Sequence, residues 1–529
     1  MKSRLIIGGL AIVIFVVSLV TSYYPIYKKG YGLGGDYLNL SEARNYVISG
    51  TYKYESPNGV FLSADKAAND GKELGISNPL TPIIYGQIFK YFGFNSPLMP
   101  MYLSLVLAAL FNSIIFLLIT RLFNTTVGLF SAMIMTLMPV RIIGALFFGS
   151  YEFAMIFFVI ALWLFFDSKN NFQASLQRIT FASIFFALAA LARNAFLISF
   201  IPFVLFDLYK NRSWKRCLVF IIPFLIIFGS TLTKYSWLDV PNGYISNINN
   251  QSFSLTGHVY DDPYSLYYSD DDFIKNLRAQ GEISRVNFHY FSQWGYDVSF
   301  SEQLNAYKDS IRYYLTQMPN LTNFGGPLII LIMLLGCFWL YKNNKDMLWL
   351  FGLWLIVWLG GLVYFITGNW DHFLEIIFMA SVLIGLGLYQ VLEMLKVLPI
   401  RQSVICGVLL IFVAGHMIYA DKWKLYDAYR SSCFGAVLDM AEKEKDVQNT
   451  GVIAFGIHLT CAYNFYYLTD HDVIYFSQET VAELIKDEKL KQAFDIYKVK
   501  SAFGYSTDLS NQIKSALKIP VFPYDKNKY

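Results

Sequence analysis

Long apolar blocks separated by short polar connections run along the chain as far as about residue 420. They fall at 5–23, 97–120, 126–148, 150–167, 178–193, 194–209, 216–236, 324–341, 347–367, 372–391 and 402–420. Most are long enough to cross a hydrocarbon layer of roughly 30 Å as a helix, and they carry almost no charge. This pattern predicts a polytopic α-helical membrane protein with about 11 transmembrane helices. The stretch 178–209 fits the count only as two half-length spans or a bent hairpin, with the break at "LARN", 191–194.

Two stretches between the first two blocks are amphipathic. In "YGLGGDYLNLSEARNYVISG" (31–50), Tyr37, Leu40, Ala43 and Val47 recur at helical spacing, with Asn39, Glu42, Arg44 and Asn45 between them. Such a helix is expected to lie in the membrane interface with its apolar face down. Gly34-Gly35 breaks the chain before it, and Asp36 stands where an N-cap belongs. "NPLTPIIYGQIFKYFG" (78–93) reads as a second interfacial segment.

After residue 421 the pattern changes. "GVIAFGIHL" (451–459), "HDVIYFS" (471–477) and "YKVKSAFGYS" (497–506) read as strands, and "QETVAELIKDEKLKQAF" (478–494) as a helix. Strands alternating with helices predict a small α/β domain, and it carries no glycine-rich phosphate fingerprint. The chain thus divides into a transmembrane domain, 1–420, with loops 24–96 and 237–323, and a tail domain, 421–529.

Composition agrees with the membrane class. The chain is 55% hydrophobic and 15% charged, against about 25% charged in soluble domains. A net charge of +4 is too small for a nucleic-acid footprint. Lys and Arg gather on alternate connections: Lys2 and Arg4, Arg121, Lys169 to Arg178, Lys210 to Arg216, Lys342 and Lys345, Lys396 and Arg401. The positive-inside rule puts these in the cytoplasm, so 24–96, 237–323 and the tail face outside. No small-residue cleavage signature precedes Tyr23, so the first block reads as an uncleaved span. Cys433 and Cys461 share the outer tail, where an oxidising compartment would let them pair; the sequence leaves that open.

The order of these features resembles the GT-C superfamily of membrane glycosyltransferases. The likeness is greatest to the branch holding the protein O-mannosyltransferases and the lipid A aminoarabinose transferases. It rests on an acid after the first span (Asp36), "SGTYKY" at 49–54 and a proline-rich entry at 78–82. It continues in an acid heading the fourth span in "GSYEFAMIFFVIALWLFF" (149–166) and a basic residue at the bend in "LAALARNAFLISFIPFVLF" (188–206). The resemblance covers the first 210 residues or so and the order of spans throughout.

The resemblance implies inverting transfer of a sugar from a polyprenyl-phosphate donor to a glycan, lipid or protein acceptor. The reaction would run on the outer face of a bacterial or archaeal plasma membrane, among membrane lipids and without nucleic acid. A carboxylate must take the acceptor proton, and positive charge must hold the leaving phosphate. The resemblance gives Asp36 the base role and Glu152 a supporting or shared catalytic role. Arg193 is the candidate for the donor phosphate, with His372 and Arg141 as further candidates; Tyr52, Asp371 and Glu375 are substrate-binding candidates. Each has a plainer alternative: a helix cap for Asp36, interfacial water for Glu152, snorkelling for Arg193, a structural role for His372.

Two departures from the family stand out. "GISNPL" has Ser77 and Asn78 where many relatives carry a lysine, and "GNWDHFLEIIF" (368–378) has Asp371-His372 where many carry Arg-Tyr. The sequence assigns no cofactor and leaves a divalent cation open: the Asp-rich "HVYDDPYSLYYSDDDF" (258–273) offers oxygen ligands for one, with no diagnostic spacing. Two other classes stay open. A cell-surface polysaccharide polymerase or ligase would also use polyprenyl-linked sugars, and a transporter would also have about as many spans, though no internal repeat is visible.

Overall fold

The computed structural model describes residues 2–29, 34–35, 37–54, 60–71, 79–93, 99–166, 174–193, 195–230, 308, 311–312, 314–317, 320, 324–365, 370–397, 400–431, 433–445, 451–457, 459–476 and 478–524. In chain order its helices begin α1 (Lys2–Lys29), α2 (Tyr37–Ser49), α3 (Ala64–Asp70), α4 (Leu80–Phe92), α5 (Met99–Leu122), α6 (Thr125–Thr136) and α7 (Pro139–Leu146). They continue with α8 (Ser150–Phe165), α9 (Leu176–Ala192), α10 (Phe196–Asn211), α11 (Trp214–Ser230), α12 (Pro327–Asn343) and α13 (Lys345–Phe365). A 3-10 helix (Trp370–Ile376) leads into α14 (Ile377–Met394), followed by α15 (Gln402–Ser431) and α16 (Phe434–Glu444). Then come β1 (Val452–Phe455), α17 (Leu459–Thr469), β2 (Val473–Tyr475), α18 (Gln478–Lys486), α19 (Leu490–Ile496), β3 (Val499–Tyr505), α20 (Thr507–Leu517) and β4 (Val521–Pro523).

Two compact units divide these elements. The first comprises Met1–Gly32, Pro100–Trp237 and Leu304–Ala428; the second comprises Leu33–Met99, Leu238–Gln303 and Tyr429–Tyr529.

In the first unit each apolar block of the sequence is helical over most of its described residues. Among the described residues, four helical stretches are long and apolar enough to cross a membrane: Leu5–Lys28, Met99–Leu122, Phe373–Val397 and Gln402–Lys422. The pair α6 and α7, bent by 57°, makes a fifth if it is one span. The break expected at "LARN" is present. Arg193 has extended backbone (φ −151°, ψ 114°) between α9 and α10, which have 17 and 16 residues. At 1.5 Å per residue, each of these helices is about 25 Å long.

Close backbone approach holds this unit together. A Cβ on Gly336 of α12 would sit 2.0 Å from the carbonyl oxygen of Leu383 in α14, and one on Gly387 would sit 1.9 Å from that of Ile332. Lipid tails are as apolar as leucine, so helices in a bilayer associate by such packing rather than by escaping water. The high aromatic content fills the space between helices. Phe158 of α8 packs against Phe186, Phe196, Phe203 and Trp354 with ring centroids 5.3 to 6.3 Å apart. Leu5, Ile226, Ile356 and Ile411 are more than half exposed, as suits side chains that face lipid.

The second unit is built on a four-stranded parallel sheet in the order β2-β1-β3-β4. Its central strand β1 reads "VIAF" and is buried at all four positions, the run expected where helices cover both faces of a parallel sheet. Phe61 adds an antiparallel bridge to Val473. Cys433, at the start of α16, and Cys461 of α17 form a disulfide. The helix expected over 478–494 is two helices, α18 and α19, parted where Glu488 takes a left-handed backbone (φ 57°). Helices α17 and α20 lie in stretches to which the sequence gave no element.

Helix α2 forms where expected, but its polar stripe does not face a membrane surface. Asn39, Glu42, Arg44 and Asn45 are all at most 4% exposed, because α2 packs against α3, α4 and α17. Gly86 of α4 gives Tyr46 room: a Cβ there would lie 3.3 Å from its ring.

Candidate active site

The helix break between α6 and α7 presents a buried cation. Pro139 opens α7, a position that tolerates its missing N–H, and Arg141 lies in the first turn. Glu152 lies in the first turn of α8, where the helix dipole favours a carboxylate. The two meet as a bidentate pair. Arg141 Nη1 donates to Glu152 Oε1 at 2.6 Å and Nη2 to Oε2 at 2.8 Å. Their side chains are 2% and 1% exposed.

This pair is one end of a polar chain through five helices. Arg141 Nε donates to Asn112 Oδ1 of α5 at 3.3 Å. Asn112 Nδ2 donates to Ser18 Oγ of α1 at 2.7 Å and to Thr136 Oγ1 of α6 at 3.3 Å. The guanidinium also lies 5.1 Å from the centre of the Phe111 ring. Each carboxylate oxygen of Glu152 takes one hydrogen bond from Arg141. The sequence analysis gave these two residues separate roles, and the structure joins them.

One residue earlier on α8, Tyr151 holds Arg193. The guanidinium carbon of Arg193 lies 3.9 Å from the Tyr151 ring centre, and Nη2 donates to the Tyr151 hydroxyl at 3.0 Å. Arg193 is half-buried. The first turn of α8 therefore engages both Arg141 and Arg193.

Glu375 is fully buried in the 3-10 helix, where its Oε2 accepts from Trp358 Nε1 at 3.2 Å. Phe373 packs against Tyr314, Phe324 and Trp358 beside it. Gly144 of α7 leaves room for the neighbouring Leu374: a Cβ there would lie 2.9 Å from the Leu374 side chain. Asp371 and His372 belong to the same 3-10 helix, with side chains outside the described residues. In the second unit, the Tyr52 ring stacks on Tyr46 at 4.6 Å and 9°. Asp36 lies outside the described residues, and α2 starts one residue after it. The Asp-rich stretch 258–273 is also outside them. Among the described residues, no group of three or more His, Cys, Asp or Glu side chains is placed to hold a metal ion.

Sequence reasoning missed Asn112, Ser18, Thr136 and Tyr151. Asn112 carried a usable signal, since an amide in the middle of a 24-residue apolar helix must find a partner in the membrane.

The fold has solved counterparts. Over 98% of this chain and 90% of the other, it is similar to ArnT from Cupriavidus metallidurans bound to undecaprenyl phosphate, at TM-score 0.54 and 12% identity. It is also similar to the archaeal oligosaccharyltransferase AglB from Archaeoglobus fulgidus, in complex with an inhibitory peptide and a dolichol phosphate. That match covers 93% of this chain and 69% of AglB, at TM-score 0.52 and 12% identity. No protein-family model matches the chain. No curated protein matches it either. Both solved counterparts are membrane glycosyltransferases of the GT-C superfamily, and the chain has the GT-C fold. It is an integral membrane protein.

Proposed function

We propose that this protein is an inverting glycosyltransferase that moves a sugar from a polyprenyl phosphate to an acceptor on the outer face of the membrane. The observation that carries the reading is the likeness along 92% or more of the chain to GT-C enzymes, two of them solved with a polyprenyl phosphate bound. All 11 apolar helical segments serve as spans in this reading, with the C-terminal sheet outside.

Asp36 is the base. Its carboxylate takes the proton of the acceptor hydroxyl as the hydroxyl oxygen bonds to the anomeric carbon. The bond from that carbon to the phosphate oxygen breaks, and the polyprenyl phosphate leaves with the electron pair. A phosphate is a weak base, so the leaving group needs charge neutralisation rather than a strong acid. Arg193, held against the Tyr151 ring, supplies it, since a guanidinium matches phosphate oxygens in charge and geometry. His372, on the 3-10 helix, is a second phosphate ligand. Tyr52 and Asp371 serve the sugar and acceptor, and Glu375, buried against Trp358, supports the 3-10 helix that carries Asp371. Glu152 holds Arg141 by charge and geometry; with both oxygens engaged it is a poor base, and Arg141 with all its charge committed is a poor phosphate ligand.

The test uses the purified full chain in detergent with undecaprenyl phosphate as probe, bound lipid being read by native mass spectrometry. The intact protein should retain the lipid in preference to a neutral polyprenol, and Arg193→Ala should weaken retention at least tenfold. Equal retention of phosphate and alcohol would sink the donor assignment.

A further inference from the structure

Arg44 has a place in the fold that the reaction described above does not use. It lies on α2, two turns after the position of Asp36, and its side chain is 2% exposed. Nη1 donates to the backbone carbonyls of Tyr466 at 3.0 Å and Tyr467 at 2.9 Å, in the last turn of α17. Nη2 pairs with Asp470 just beyond that helix at 2.9 Å. Nε and Nη2 also donate to Asn45 Oδ1 at 3.2 and 3.1 Å. The guanidinium carbon stands 4.7 Å from the Tyr466 ring centre.

The neighbours extend the clamp. Asn45 Nδ2 donates to the Lys53 carbonyl at 2.8 Å and the Tyr466 hydroxyl at 3.0 Å, and that hydroxyl donates to the Leu62 carbonyl at 2.7 Å. The far end of the same helix α17 is tied to α16 by the Cys433–Cys461 disulfide. A cation on the open carbonyls of a helix C-terminus is favoured both by hydrogen bonding and by the dipole. A planar fork can serve two carbonyls, a carboxylate and an amide at once, which an ammonium cannot.

We infer that Arg44 is a positioning residue: it fixes the helix that follows Asp36 against the C-terminal sheet unit, so that the tail sets where the base stands. This inference rests on the proposed transferase reading. It assigns to the tail a task in the transfer step itself.

The test pairs hydrogen–deuterium exchange on the full-length protein in detergent with product measured in cells. The variants are Arg44→Lys, which keeps the charge, and Asp470→Asn, which removes only the carboxylate. In Arg44→Lys, exchange over 37–43 should rise at least tenfold while β3, Val499–Tyr505, keeps its protection. The cellular glycan product should fall at least tenfold at matched protein level, and Asp470→Asn should shift both readouts in the same direction by less. Reducing the disulfide should loosen α17 and α2 together.

Three results would overturn the inference. One is unchanged exchange in α2; another is loss of protection in the sheet along with α2, which marks a general stability role; the third is a loosened α2 with full product. If deleting the protein changes no glycan, the transferase reading itself has failed, and the exchange data still report whether Arg44 holds α2.

Discussion

Removing one partner of the Arg141–Glu152 pair should destabilise the protein strongly, and removing both should not. The two side chains are 2% and 1% exposed, and two short hydrogen bonds join them. Breaking a buried pair from one side leaves an uncompensated charge and typically costs about 3–5 kcal/mol. Asn112 also accepts from Arg141, through Nε at 3.3 Å, and a neutral amide does not replace a carboxylate. Glu152→Leu should therefore lose about 3 kcal/mol or more, and Arg141→Met about as much. In the double variant, apolar side chains fill the same space with no charge to desolvate, and most of the loss should be regained. The assay is thermal unfolding of the four proteins in one detergent, followed by size-exclusion fluorescence. Each single variant should melt about 3 °C or more below the intact protein, and the double should lie above both. If Glu152→Leu melts with the intact protein, or the double falls to the sum of the singles, the pair is not coupled as described.

Two further outcomes follow from named contacts. Tyr151→Phe keeps the ring under Arg193 and loses one hydrogen bond at 3.0 Å, so undecaprenyl phosphate retention should fall by only a few-fold. Tyr151→Leu removes both supports and should approach the Arg193→Ala protein; equal effects of Phe and Leu would show that the ring does not matter. Burial raises the Glu444 carboxyl above its ordinary value, and His471, 2.8 Å away, lowers it by less. A carboxyl raised in the fold adds stability below its unfolded value, about 4.3, and that contribution is lost as pH rises through the folded value. Glu444→Gln mimics the protonated form and should melt above the intact protein at pH 7.5, with the difference vanishing near pH 4. A less stable Gln variant at pH 7.5 would contradict the sign.

Local patterns were legible in the sequence, and distant partnerships were not. The block 97–120 became α5 (Met99–Leu122), and the break expected at 191–194 falls at Arg193, because an uninterrupted apolar run or a polar interruption is written in adjacent residues. The pairing of Arg141 with Glu152 depends on the 57° bend between α6 and α7 and on the return of α8, and no local period encodes that. Arg44 looked like the polar side of a surface helix. Its acceptors lie 422 and 423 residues further on, so its burial could not be read from spacing. Helix α17 was missed because "LTCAYNFYYLT" is dense in aromatics and lacks the clear polar face that marks an amphipathic helix. The split of 478–494 turns on one residue, Glu488, in a left-handed conformation that its side chain does not announce.

The measurement that bears most directly on sugar transfer compares the surface glycans and glycolipids of three strains by mass spectrometry. One is intact, one lacks the protein, and one carries Asp36→Asn at matched protein level. Loss of the same single sugar from the deletion and the substitution is the expected result, and it would identify the acceptor at once. Loss of long polymer with the single repeat unit retained would point to a polymerase, and an Asp36→Asn strain matching the intact one would leave Asp36 as a helix cap and remove it from the chemistry.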